Sequence, residues 1–308
     1  MMTNVFIDGS AGTTGLRIAE RLAARRDLNL IRLPEALRKN PAARKEAINS
    51  ADIVFLCLPD DAAREAVALV SNPRVKIIDT STAHRTAPGW VYGFPELAGQ
   101  REKLAAATRI ANPGCHASGF VALVAPLVQQ GILEPGALLS CFSLTGYSGG
   151  GKKMIAAYED SARSALLDAP RQYGLTQQHK HLKEMKALCA LENEPVFCPI
   201  VGDFYSGMEV TVPLFARQVN GTADDIRDVY RTYYTDGLVR FTETPDSDGL
   251  LSAAALAGRD DMEISVFGND TRILLTARFD NLGKGASGAA IQNLNILLGI
   301  DQAMGLNV

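Results

Sequence analysis

The chain has 308 residues, enough for about two domains, and at this size about 75% of the unfolded surface can be buried without a disulfide or metal staple. It is 47% hydrophobic and 21% charged with a net charge of −3, which excludes a disordered chain and a nucleic-acid binder driven by bulk positive charge. No apolar run nears the roughly 20 residues of a membrane span, no secretory signal is expected from the opening residues, and five cysteines without a CxxC pair point to a reducing, cytoplasmic compartment and no metal knuckle.

Residues 3–7 form a short β-branched and aromatic run, read as a strand, and Gly9-Ser10-Ala11-Gly12-Thr13-Thr14-Gly15 follows directly. Leu16, Ala19, Leu22 and Ala23 then recur at helical spacing. Strand, glycine-rich turn and helix together make an anion site: helix N–H groups and the dipole face the turn, and glycine lets the backbone come close. The spacing is G-x-x-G-x-x-G, less usual than G-x-G-x-x-G. Residues 28–33 read as the second strand. An acid near its end would hold a ribose 2′-hydroxyl, but this region carries Arg32, Arg38 and Lys39, and its only acid, Glu35, follows Pro34. That favours a 2′-phosphate, hence NADP(H).

Ile53-Val54-Phe55-Leu56-Cys57-Leu58 reads as a strand buried on both faces, and Ala62, Ala66, Leu69 and Val70 as a helix. Residues 75–79 give the next strand, followed by Arg85, a candidate anchor for an anionic substrate near the end of a parallel strand. Alternating strands and helices predict a doubly wound parallel sheet. Asn112-Pro113-Gly114-Cys115 then leads into a helix with Phe120, Leu123, Val124 and Leu127 on one face. Cys115 thus stands at a helix start, where the dipole favours a thiolate. The other four cysteines lie inside apolar patterns and read as buried hydrophobes.

After about residue 136 the pattern changes. Residues 137–145 predict a strand ending in Gly146-Tyr147-Ser148-Gly149-Gly150-Gly151, with a helix from about 152 to 167. Ser148, Gly149 and Gly150 suggest a phosphate nest with Lys152 or Lys153 beside it. His179 and His181 open another helix. His181 and Glu184 are three apart on one face, so the carboxylate can orient the imidazole, although either histidine serves equally as a helix cap. His116 is adjacent to Cys115, about 100° away around the helix, and reads as a poor partner. Residues 262–267 and 272–279 predict an antiparallel hairpin, and a last helix carries Ala286, Ala289, Ala290, Leu294, Leu297 and Leu298 on one face.

Taken together, Asn112-Pro113-Gly114-Cys115, the glycine loop at 9–15, Gly146–Lys153 with its Tyr-Ser-Gly-Gly core, Lys180-His181-x-x-Glu184-Met185 and Asn281-Leu282-Gly283-Lys284-Gly285-Ala286 resemble the N-acetyl-γ-glutamyl-phosphate reductase family, its shorter type 2 branch. The resemblance runs from residue 5 to about 299. It departs where Lys183 stands in place of a frequent proline. It implies a Rossmann-type domain over 1–114 and 283–308, and an antiparallel α+β catalytic and oligomerisation domain over 115–282. It further implies NADPH-dependent reduction of a small acyl phosphate through a Cys115 thioester, in arginine biosynthesis. His181 would be the acid/base, Gly283, Lys284 and Gly285 would line the cofactor, and the chain would assemble as a homodimer or homotetramer. Related readings are aspartate-semialdehyde dehydrogenase or aminoadipyl-phosphate reductase; a different class is a non-catalytic NADP-binding redox sensor.

Overall fold

The computed structural model describes residues 2–245 and 248–308. The chain divides into two compact units: Met1–Pro95, Gly99–Pro113 and Ala286–Leu306 form one, and Glu96–Ala98, Gly114–Gly285 and Asn307–Val308 the other. Among the described residues no helix is long and apolar enough to cross a membrane.

The first unit runs β1 (Thr3–Asp8), α1 (Thr13–Ala23), β2 (Leu28–Ile31), α2 (Pro41–Ser50), β3 (Ile53–Leu56), α3 (Asp60–Ala68), β4 (Lys76–Asp79), β5 (Val91–Tyr92), α4 (Gln100–Ala106) and β6 (Arg109–Ala111). Its six strands form a sheet ordered β2-β1-β3-β4-β6-β5, with every pairing parallel. The apolar run in β3 explains the two-sided burial. Ile53 and Phe55 enter one core with Val5, Ile7 and Ile18, while Val54 and Leu56 enter the other with Phe6, Ile48 and Ala63. Strand order reverses between β1 and β3, the switch point where open parallel sheets bind ligands.

The second unit contains α5 (Cys115–Gln129), β7 (Ser140–Gly146), α6 (Gly151–Glu159), β8 (Arg171–Gln172), α7 (Leu182–Leu188), β9 (Val196–Gly202), β10 (Met208–Phe215), α8 (Ala223–Tyr233), β11 (Val239–Phe241), β12 (Met262–Gly268) and β13 (Arg272–Phe279). The expected hairpin is present: Met262 pairs with Phe279 and Gly268 with Ile273, antiparallel. The sheet, ordered β11-β12-β13-β10-β7-β9-β8, is mixed rather than purely antiparallel. β7 and β9 are parallel, because the α6 and α7 segments between them provide the long crossover that parallel neighbours need. The helix expected to reach residue 167 stops at Glu159. Asp160 leaves helical geometry and its side chain accepts the Ala162 N–H at 2.8 Å, a local turn that competes with the helix. The chain returns to the first unit with α9 (Gly288–Leu298), whose Ala290, Ile291 and Leu294 complete the β1–β3 core.

Candidate active site

In the first unit, the glycine loop sits over the exit of β3. Gly9 has φ +88°, and a side chain there would meet the Cys57 carbonyl oxygen at 2.3 Å; one at Gly15 would meet the Gly9 carbonyl oxygen at 2.4 Å. These two glycines are therefore required by backbone approach. Gly12 caps α1 without any side-chain hydrogen bond, so Ser10, Ala11, Thr13 and Thr14 line a bare helix N-terminus suited to a pyrophosphate. Arg32 follows directly on β2 and is exposed. Arg38 and Lys39 are exposed, and Arg38 lies 3.8 Å from Glu35 across a surface pair.

Arg85, expected to anchor an anionic substrate, bonds to the backbone through two of its nitrogens. Its Nε donates to the Asn112 carbonyl at 3.0 Å and its Nη2 to that of Thr80 at 3.3 Å, so it clamps the backbone leading into Pro113. Asn112 is held at every polar atom. Its N–H donates to the Asp79 carbonyl at 2.7 Å, its Nδ2 to that of Ala286 at 3.0 Å, and its Oδ1 accepts from Asn293 at 3.2 Å. The turn before Cys115 is thereby pinned three residues upstream, a function the sequence motif did not disclose.

In the second unit, Cys115 is the first residue of α5 and is half-buried; Gly114 is the cap and carries no side-chain bond. The helix is buried from His116 to Leu127, so the sulfur is carried on a rigid element. Glu184, 1% exposed on α7, accepts the Gly114 N–H on Oε2 at 3.1 Å, and its Oε1 lies 3.8 Å from His181 Nε2. One carboxylate thus ties the turn at Cys115 to the imidazole. A nitrogen of His181 and the Cys115 sulfur fall within 4.8 Å of each other.

His116 also joins this group, contrary to the expectation that it diverges. Its ligand nitrogen is within 4.8 Å of both Cys115 and His181, since in the first turn no earlier turn obstructs the ring. Nδ1 is 2.6 Å from the Ser143 hydroxyl and Nε2 is 2.6 Å from the Tyr173 hydroxyl. Burial pulls its pKa down to about 3, which favours the neutral ring. Burial likewise raises the Tyr173 phenol. Of the other thiols, Cys141 and Cys189 are buried as expected, whereas Cys57 and Cys198 are half-buried; desolvation pushes Cys57 up to about 12 and raises Cys141 and Cys189.

Gln177 was not anticipated. It holds φ +55°, and its side chain mimics a missing strand: Nε2 donates to the Phe197 carbonyl at 2.7 Å, and Oε1 accepts the Phe197 N–H at 2.8 Å. Phe197 packs edge-on against His116 and His179, and His179 Nδ1 accepts the His181 N–H at 3.2 Å. The histidine loop is thus anchored to β9.

The glycine loop after β7 is partly consumed by the protein. The N–H groups of Gly146, Tyr147 and Ser148 donate to Gly207, Phe204 and Tyr205 carbonyls, and the Ser148 hydroxyl accepts from Asn281 at 3.0 Å. The expected nest therefore loses the Ser148 N–H, while Gly149 and Lys152 remain exposed. Lys284 is turned inward: it is fully buried, with Nζ 2.7 and 2.8 Å from the two Glu96 oxygens. Burial pulls its pKa down against the opposing pull of Glu96, and the side chain that the resemblance assigns to the cofactor is engaged with that carboxylate.

Gly283 and Gly285 are demanded by packing. A side chain at Gly283 would meet the Arg259 carbonyl oxygen at 2.0 Å, and one at Gly285 would meet Cys115 Cβ at 2.9 Å. Gly285→Ala is accordingly expected to displace the Cys115 side chain. A shift of about 1 Å at a reacting group costs about 10²-fold, so kcat and the alkylation rate of Cys115 should fall together, with stability reduced by about 1–3 kcal/mol. Unchanged alkylation kinetics would show that the contact does not position the sulfur.

Residues 115–281 match the family model of the semialdehyde dehydrogenase dimerisation domain, and residues 32–107 match that of the semialdehyde dehydrogenase NAD binding domain. The parallel-sheet unit is therefore the nucleotide-binding one. The chain is 48% identical to an N-acetyl-γ-glutamyl-phosphate reductase of Sinorhizobium medicae, covering 97% of this chain and 99% of the relative. It is 47% identical to N-acetyl-γ-glutamyl-phosphate reductase 2 of a Nostoc species, covering 98% of each. Among solved structures, aspartate semialdehyde dehydrogenase II of Vibrio cholerae superposes with a TM-score of 0.72 at 15% identity, covering 97% of this chain and 99% of that one, which shows a shared fold. The chain belongs to the semialdehyde dehydrogenase family, among its N-acetyl-γ-glutamyl-phosphate reductases.

Proposed function

We propose that the chain reduces N-acetyl-γ-glutamyl phosphate to N-acetylglutamate 5-semialdehyde and phosphate, using NADPH. The observation that carries this is the Glu184 carboxylate joining the Cys115 turn to His181, in a chain 48% identical to a reductase of that name. The Cys115 thiolate attacks the acyl carbon and phosphate leaves, giving a thioester. Bound NADPH supplies the hydride that reduces it. His181 donates a proton to the developing alkoxide, help worth about 10²–10⁴-fold, and the thiohemiacetal collapses to the aldehyde and the free thiol. N–H groups at the start of α5 stabilise the oxyanion. Lys152, at the first turn of α6, is the cation offered to the substrate.

The nucleotide site fits a dinucleotide through Gly9, Gly15 and the bare start of α1. Arg32 at the end of β2, where an acid would serve NAD, supports NADP(H). The reverse assay tests both readings. Phosphate-dependent reduction of NADP with N-acetylglutamate semialdehyde should exceed that with aspartate semialdehyde by at least about tenfold. A kcat/KM ratio for NADPH over NADH at or below one would remove the cofactor assignment.

We also propose a homodimer through the second sheet. Phe142, Val196, Phe215 and Leu274 stand exposed on its strands, and large apolar side chains grouped on one surface favour an interface. Phe142→Asp combined with Leu274→Asp should yield a monomer in sedimentation; a dimer of unchanged mass would place the interface elsewhere.

A further inference from the structure

We propose that Cys115, His116 and His181 form a binding site for Zn²⁺, whose occupancy reversibly masks the nucleophile; the masking, though not the binding, rests on the reading of Cys115 given above. The sulfur and one nitrogen from each histidine all lie within 4.8 Å of one another. Both histidines are at least nine-tenths buried, while Cys115 is half-buried. One thiolate and two imidazoles are the donor set of a borderline-soft cation, and three protein ligands with an open fourth position match an accessible zinc site. The three donors include no oxygen, so Mg²⁺ and Ca²⁺ are disfavoured.

The groups behind the donors are those that zinc ligands ordinarily carry. Glu184 Oε1 stands 3.8 Å from His181 Nε2, and the Ser143 and Tyr173 hydroxyls hold the His116 ring. Such outer partners orient imidazoles toward a metal. Bond lengths of about 2.0–2.3 Å place tetrahedral ligand atoms about 3.3–3.6 Å apart, so the cluster must contract by about 1 Å. Cys115 sits at a helix end and His181 follows a loop, which leaves side-chain rotation to close the gap. His116 must exchange one hydroxyl partner for the metal. The Cys115 thiol releases its proton to solvent as the sulfur–zinc bond forms, and nothing is oxidised or reduced.

The test uses the purified chain without substrate or nucleotide. Competition against a zinc-chelating dye should give one Zn²⁺ per chain. Zinc should slow alkylation of Cys115 by iodoacetamide at least about tenfold, EDTA should restore the rate, and Mg²⁺ should leave it unchanged. Cys115→Ser, His116→Asn and His181→Asn should each weaken zinc binding at least about tenfold, a loss on the scale of removing part of a metal site; three separate variants guard against one that fails to fold. Zinc affinity unchanged in Cys115→Ser, or wild-type alkylation at full zinc occupancy, would overturn the site. Neither readout involves an acyl phosphate, so this proposal and the reductase reading stand or fall separately.

Discussion

Replacing Cys115 by Ser lowers kcat by at least about 10³-fold, the scale on which loss of a covalent nucleophile is felt. The side chain changes by one atom at the first residue of α5, so folding stability should move by less than about 1 kcal/mol. The two effects separate because the helix start and the nearby imidazole can hold a thiolate, whereas a serine hydroxyl stays protonated there without a stronger base. Mass spectrometry supplies the independent reading. Wild-type enzyme given acyl phosphate without NADPH should accumulate an acyl adduct on the peptide bearing Cys115, and the Ser variant should show none. A variant within tenfold of wild type in the reverse assay would mean that hydride transfer proceeds without the thioester.

Signals contained within a few residues were legible from the chain alone. The turn from Gly9 to Gly15, the doubly buried run of β3, the hairpin of β12 and β13 and the placing of Cys115 at a helix start each depend on neighbours in sequence. The features that were not legible depend on partners far away. The resemblance assigns Lys284 to the cofactor, and nothing near it in sequence discloses that Glu96, 188 positions earlier, holds its Nζ. Arg85 reads as a substrate anchor, and its bond to the Asn112 carbonyl, 27 positions on, is equally hidden. His116 was set aside on helical angle, which describes where a side chain leaves the backbone and not where a ring ends when Ser143 and Tyr173 draw it in. Gln177 bore no signal, because a glutamine standing in for a strand is visible only once Phe197 lies beside it. The parallel pairing of β7 with β9 was likewise hidden, since alternation of apolar residues does not encode strand direction.

Glu184 is the residue whose two duties can be pulled apart. One oxygen accepts the Gly114 N–H at 3.1 Å, and the other faces His181 Nε2 at 3.8 Å. Glu184→Ala removes both contacts. It leaves a buried N–H without its acceptor, at a cost of about 1–3 kcal/mol, and releases the imidazole, with kcat expected to fall about 10²–10⁴-fold. Glu184→Gln keeps an oxygen for Gly114 but removes the charge that supports an imidazolium. The Gln variant should therefore recover most of the denaturant midpoint lost in the Ala variant, yet remain at least about 10²-fold below wild type in kcat, since the proton donor is what it lacks. Recovery of both midpoint and kcat in Glu184→Gln would make Glu184 a brace for the Cys115 turn alone and leave His181 to act without a charged partner.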